Sequence, residues 1–237
     1  MSNKALIFSD LHIHKHKDNH ERLDNCIEVI TWVFETAIKE KCKTIFFLGD
    51  LYHERSKIDV FNYLKTFEVF MKYSEADFQI YLLIGNHDMY HKEKWDVNSV
   101  KPLTAIKNVN VIEKPTTMVF GKTQVDFLPH TESPITHLKT FKNKEKHILL
   151  AHLAVQGAIL NKMYGTKSEV IEYDNDMEII APEDFDAWKM TFLGHYHGEQ
   201  KLSDKAEYVG SPLQLSFGEA FQKKHIIVLD LDTLEKK

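Results

Sequence analysis

Five apolar runs in this 237-residue chain each end in a residue that can bind a metal or move a proton. LIFSD closes on Asp10, IFFLGD on Asp50, YLLIGNHD on Asn86, His87 and Asp88, HILLAH on His152, and TFLGHYH on His195 and His197. One Asp or His after a strand is an ordinary turn, cap or structural residue. A set repeated over separate strands points to a site, because the active sites of α/β sheets gather at strand ends. The pairs Asp10-x-His12 and His195-x-His197 put alternate side chains on one side of an extended segment, so both are expected to face one pocket. Gly49, Gly85 and Gly194 each stand immediately before a candidate ligand, where a small residue lets the backbone turn sharply.

Carboxylate, imidazole and amide-oxygen donors together suit Mn²⁺, Fe²⁺ or Zn²⁺ and disfavour Ca²⁺, which prefers all-oxygen cages. A pair of cations about 3.5–4 Å apart needs a bridging carboxylate. Asp50 is the natural bridge.

The elements that must position these residues follow from hydrophobic period. In the first half, runs at Ala5–Phe8, Thr44–Leu48 and Gln79–Ile84 alternate with helical patterns at Glu21–Glu40 and Ile58–Lys72, which predicts βαβαβ units. Leu23, Ile27, Ile30, Phe34, Ala37 and Ile38 form the stripe of the first helix, with Asp18 or Asn19 as its cap. The second helix carries Val60, Leu64, Phe67 and Met71, and Phe61, Tyr63 and Phe70 widen its apolar surface beyond one face. Burial between core layers is the expectation, with a homodimer contact as the alternative. The second half reads as strands at Val109–Ile112, Thr117–Phe120, Gln124–Leu128, His147–Leu150, Met190–Leu193, Glu207–Val209 and Ile226–Leu231, joined closely enough to imply a second sheet packed on the first. Between Val155 and Phe185 lies a polar stretch, acidic around Glu169–Glu178, expected to be a solvated loop or a lid.

Composition bounds the answer more loosely. With 43% hydrophobic and 27% charged residues the chain is that of a globular protein, long enough for one domain with a sizeable core. A net charge of -5 excludes a uniformly basic nucleic-acid binder, so any DNA contact must be local. Cys26 and Cys42 have no framework spacing and are expected to be reduced thiols. Met1 leads directly into an apolar strand with no cleavage site, and no run approaches the roughly 20 apolar residues of a membrane span. A cytoplasmic protein without membrane contact is expected.

The ordered motifs DLH, GDLYH, GNHD, AH and GHYH resemble the signature of the calcineurin-like metallophosphoesterases. Within that superfamily, Gly49–His53 (GDLYH), Val155–Ala158 (VQGA) and Gly210–Glu219 (GSPLQLSFGE) are similar to the SbcD-type nuclease subunit of double-strand-break repair complexes, and the similarity runs over nearly the whole chain. The resemblance implies an α/β fold of two packed mixed β-sheets flanked by helices, an α/β/β/α sandwich. It implies two divalent cations, Mn²⁺ foremost, one held by Asp10, His12, Asp50 and His197 and the other by Asp50, Asn86, His152 and His195. It also implies that His87 stabilises the phosphate or protonates the leaving oxygen, that Asp88 orients the His87 ring, and that His53 is a second catalytic histidine. Such cations acidify a water for in-line attack on phosphorus and neutralise charge on the phosphoryl oxygens.

The function expected is a metal-dependent DNA nuclease of repair or recombination, exonuclease, endonuclease or both, with single-stranded DNA or DNA ends as substrate. SbcD-type nucleases also carry a capping domain and a segment that binds an SbcC-type ATPase. Here the run HIIVLDL reads as the closing strand of one core domain spanning 1–237, so the cap and the ATPase-binding segment are expected to be absent or to belong to a part not present here, and DNA selectivity and the ATPase partnership stay open. Two rivals stand beside this reading: a compact phosphodiesterase or phosphatase for small substrates, and a non-catalytic scaffold that keeps its metals for structure. Of the remaining polar residues, His14, His16 and His20 read as surface histidines, His130 as structural or adjacent to the ligands, and Asp126, Asp174 and Asp176 as solvated.

Overall fold

The computed structural model describes residues 3–14, 20–161, 166–167 and 178–237. Strands β1 (Lys4–Phe8), β2 (Thr44–Phe47) and β3 (Gln79–Leu83) alternate with helices α1 (His20–Glu40) and α2 (Val60–Lys72). After them come the hairpin β4 (Met89–His91) and β5 (Lys94–Asn98), then β6 (Val109–Ile112), β7 (Thr116–Phe120), β8 (Thr123–Leu128), the short helix α3 (Pro134–Leu138) and β9 (His147–His152). The chain continues through β10 (Ile159–Asn161), β11 (Thr166–Lys167), β12 (Met190–Gly194), β13 (Gln200–Lys201), β14 (Ala206–Tyr208) and β15 (Ile227–Asp230).

Two mixed sheets result. The first has the order β15-β1-β2-β3-β6, with β1, β2, β3 and β6 parallel and β15 antiparallel at the edge beside β1. In the second, β13-β14-β12-β9-β8-β7, the central strands β14, β12, β9 and β8 are parallel and the outer two antiparallel. The expected sandwich of two packed sheets flanked by helices is the fold observed.

Strand alternation sorts the core into layers. Ala5, Ile7, Phe46, Leu48 and Leu83 from the first sheet meet Val125, Phe127, Ile148, Leu150 and Phe192 from the second. The opposite faces of β1, β2 and β3 present Leu6, Phe8, Ile45, Phe47, Ile80 and Leu82 to α1 and α2. The outer face of the second sheet packs Leu149, Ala151, Leu193 and Tyr208 against Phe185 and Trp188. Such layers leave the C-terminal ends of the parallel strands of both sheets uncovered by helix, which is where a site can form.

The face of α2 differs from expectation. Val60 is 81% exposed, Leu64 48% and Met71 44%, whereas Asn62, Thr66, Val69 and Phe70 are buried. The buried positions also have helical spacing, but two of them are polar: the Thr66 hydroxyl donates to the Asn62 carbonyl at 2.8 Å, which removes the cost of burying it. Phe70 then sets its ring edge-on to Phe34 of α1, centroids 5.3 Å apart. Asp59 caps the helix by accepting from the amides of Phe61 and Asn62.

The polar stretch after Val155 is anchored at both ends. Val155, Ala158, Ile180 and Phe185 are buried in the outer core, and Gln156 donates its N–H to the Ile180 carbonyl. Asp174, Asp176 and most of the acidic run lie outside the described residues, as do His16, Asp18 and Asn19. Asp126 is a correction: instead of being solvated it is fully buried, receiving Trp188 Nε1–H at 2.8 Å and the Thr117 hydroxyl at 2.6 Å, with His147 Nδ1 at 3.0 Å. Cys26 and Cys42 are both buried, and neither is in a disulfide. No helix among the described residues is long and apolar enough to cross a membrane.

Candidate metal centre

All seven expected ligand residues lie at the common mouth of the two sheets, but their local backbone is not the extended form the spacing suggested. Asp10, His12 and Asp50 adopt φ of 55°, 47° and 61°, and His195 adopts 105°. These are left-handed conformations that L-residues with side chains seldom hold. Backbone bonds tie the first two turns together: Asp10 N–H donates to the Gly49 carbonyl, and the amides of Leu11 and His12 both donate to the Asp50 carbonyl, each at 3.0 Å. Gly49 has φ 103°, and a Cβ there would meet His152 Nδ1 at 2.5 Å. At Gly194 the reason is crowding alone, since a Cβ would fall 2.5 Å from the Leu48 carbonyl oxygen.

The donor atoms form two groups, Asp10–His12–His197 and Asp50–His152–His195, each compact enough to hold one metal ion. In the first, His12 Nε2 faces His197 Nε2 at 3.0 Å and lies 3.7 Å from Asp10 Oδ1. In the second, Asn86 Oδ1 lies 3.0 Å from both His152 Nε2 and His195 Nδ1. Asp50 joins them: its Oδ2 is 3.4 Å from His12 Nε2 and 3.4 Å from His152 Nε2. The other oxygen, Oδ1, accepts the backbone N–H of His87 at 2.8 Å, which fixes how the carboxylate is turned.

The fit to divalent cations can be judged from these contacts. Two Nε2 atoms 3.0 Å apart share one line with at most one proton between them, an arrangement that a cation satisfies. His152 donates Nδ1–H to the Leu48 carbonyl at 2.6 Å, so its Nε2 is the nitrogen left for coordination, the usual outer bond of a metal-binding histidine. Asp10 is oriented from behind by the amide of His195 at 3.1 Å. Electrostatics agree. Burial raises the Asp10 carboxyl, but His12, His152 and His197 outweigh it and hold the group down at about 2. Asp50 is likewise held well below the usual carboxylate range, chiefly by His152 against the opposing effect of burial. Burial lowers His152, yet the Asp50 carboxylate lifts it to about 9, while burial and then His152 push His195 down to about 4. The donor set therefore fits two hard-to-borderline cations around one carboxylate.

His87 and His53 flank this centre. Their rings stack, centroids 5.2 Å apart at 19°, and His53 Nδ1 lies 3.3 Å from His12 Nδ1. His12, His53 and His87 form a third group of convergent nitrogens. His87 donates Nδ1–H to the His53 carbonyl at 2.5 Å, leaving Nε2 as its free nitrogen. Asp88 does not orient that ring as expected. It is fully buried and accepts backbone N–H groups from Asp50 at 2.8 Å, Gly85 at 3.0 Å and Leu51 at 3.1 Å, with burial, then Asp50, raising it to about 6. The spare oxygens are consumed by the loops, so the His53 carbonyl is what holds His87.

His130 is buried beside the second group, its ring stacked on His195 with centroids 6.2 Å apart. Burial, then His152, push it down to about 3. His14 sets its ring 4.8 Å from that of His53, and the side chain of His20 is outside what is described. Sequence reasoning missed Glu219, whose Oε1 lies 3.2 Å from His197 Nδ1 and whose Oε2 pairs with Lys224 at 2.6 Å. Burial raises this carboxyl, but His197 and Lys224 bring it to about 2. The signal was present in GSPLQLSFGE, where an acidic residue ends an otherwise uncharged run.

Two packed mixed sheets with clustered carboxylate and imidazole donors at their joint mouth define a metallohydrolase architecture. The chain belongs to the calcineurin-like phosphoesterase family, whose profile matches residues 4–199. Among curated proteins it is similar to "Exonuclease subunit 1" of Enterobacteria phage T4, 24% identical over 236 residues, covering 97% of this chain and 65% of the phage protein. The chain thus spans just under two thirds of that relative's length. Among solved structures it is similar to Pseudomonas putida nuclease MPE (18% identity, 62% of this chain, 60% of that one, TM-score 0.39) and to Yfce, a phosphoesterase from E. coli (11% identity, 98% and 96%, TM-score 0.43).

Proposed function

We propose that this chain is a two-metal phosphodiesterase that hydrolyses DNA, with Asp10, His12, Asp50 and His197 holding one cation and Asp50, Asn86, His152 and His195 the other. The observation that carries the reading is the position of Asp50 Oδ2, equidistant at 3.4 Å from a histidine of each group. The cations, when bound, supply an acidified water and charge neutralisation at phosphorus. The mixed donors suit Mn²⁺, Fe²⁺ or Zn²⁺, and Mn²⁺ is the cation proposed first on the family resemblance.

The protein's own residues do the rest. The His87 amide sets Asp50, and the His53 carbonyl sets the His87 ring so that Nε2 can meet a phosphoryl or leaving oxygen. DNA as substrate is supported by the phage exonuclease subunit, aligned over nearly the whole chain. An SbcC-type ATPase partner, a single domain over 1–237 and a cytoplasmic setting belong to the same reading. The net charge of -5 favours a second reading, a small phosphodiester as substrate. Assay with Mn²⁺ on labelled single-stranded DNA and on bis-p-nitrophenyl phosphate separates the two: we expect cleavage of DNA, and hydrolysis of the small diester alone would overturn the nuclease reading.

A further inference from the structure

We propose that Glu219 is a positioning residue for His197: its carboxylate accepts the Nδ1–H of that ring and thereby presents the Nε2 lone pair toward His12 and Asp10. The inference rests on the ligand assignment above and adds to it a residue on a distant part of the chain.

Burying a carboxylate costs several kcal/mol unless it is paired and hydrogen-bonded. Glu219 is only 7% exposed and is satisfied at both oxygens. Oε1 takes His197 at 3.2 Å and the Ser216 hydroxyl at 3.3 Å. Oε2 takes Lys224 Nζ at 2.6 Å and the Leu215 amide at 3.2 Å. The same Lys224 Nζ also donates to the carbonyl of His197 at 2.9 Å, and the Ser211 amide donates to that carbonyl at 3.1 Å. One ion pair therefore grips the ring of His197 at Nδ1 and its main chain at the carbonyl. Gly210 lets the segment come this close, because at its φ of 75° a Cβ would stand 3.0 Å from the His197 carbonyl oxygen.

The chemical consequence is a fixed tautomer. A neutral imidazole carries its proton on one nitrogen, and a partner for Nδ1–H leaves Nε2 as the acceptor a metal needs. Carboxylates behind metal-binding histidines act in this way, and their loss weakens metal affinity by about 10- to 100-fold. A merely structural role, pinning 210–224 onto the turn after β12, would change stability and leave the tautomer alone.

The test uses the full chain with ¹⁵N-labelled histidine, metal-free, as wild type, Glu219→Gln and Glu219→Ala. NMR should show His197 as the Nδ1–H tautomer in the wild type and in Glu219→Gln, whose amide oxygen still accepts. Glu219→Ala should show a mixture or the Nε2–H form. Calorimetric titration with Mn²⁺ should show one of two sites weakened about 10- to 100-fold in Glu219→Ala and less in Glu219→Gln. An unchanged tautomer with unchanged affinities in Glu219→Ala overturns the proposal. If Glu219→Ala does not fold, Glu219→Gln binding Mn²⁺ as the wild type does, with the Nε2–H tautomer, overturns it equally. Wild type that binds no Mn²⁺ would contradict the ligand assignment instead, and the tautomer would still decide the role of Glu219.

Discussion

The Asp88 carboxylate accepts the backbone N–H of Asp50 at 2.8 Å, so the turn that carries the shared ligand is tied to a side chain from the neighbouring strand end. The amides of Gly85 and Leu51 bind the same carboxylate. Replacing Asp88 with Ala leaves four backbone N–H groups, those of Asp50, Leu51, Tyr52 and Gly85, without this acceptor, each costing about 1–3 kcal/mol. Urea unfolding of Asp88→Ala is expected to show a loss of about 3 kcal/mol or more. A loss below about 1 kcal/mol would mean that the two turns are held by something else.

His87 sits outside the two ligand groups, its Nδ1 occupied by the His53 carbonyl. His87→Ala should therefore keep its metals while kcat falls about 10²- to 10⁴-fold, the usual contribution of an acid–base group. Metal analysis beside single-turnover assays checks this. Parallel loss of metal and turnover would instead make His87 a ligand, as the His12–His53–His87 grouping would allow.

The exposed and buried positions of α2 give a prediction of unequal size at neighbouring turns. Phe70 is buried against Phe34, so Phe70→Asp should destabilise the fold by about 3–5 kcal/mol. Leu64 is 48% exposed, and Leu64→Asp should change stability by no more than about 0.5 kcal/mol. Light scattering on Leu64→Asp then tests the homodimer directly. A wild-type dimer that becomes a monomer supports contact through Val60, Phe61, Leu64 and Met71, and identical masses remove it.

These cases show what the chain's pattern could convey. The strands that carry the site were legible because each is a short apolar run closed by a ligand type, and β1, β2, β3, β9 and β12 end where that rule places them. The face of α2 was not, since Asn62 and Thr66 look like surface residues until the Thr66 hydroxyl finds the Asn62 carbonyl. Asp126 deceived in the same way: its partners Trp188 and His147 are distant in sequence, and only pairing of β8 with β9 and packing of the outer core bring them together. Glu219 stood out only as the one acid of its run, because a carboxylate behind a ligand has no fixed spacing from it. Side chains that act on metals announce themselves by type, whereas those that hold them in place depend on tertiary neighbours.

In the proposed centre Asp50 joins two cations. Anomalous diffraction from crystals equilibrated with Mn²⁺ tests it most directly. Two peaks about 3.5–4 Å apart are expected, with the Asp50 carboxylate touching both. A single peak, or two peaks of which Asp50 touches neither, would contradict it.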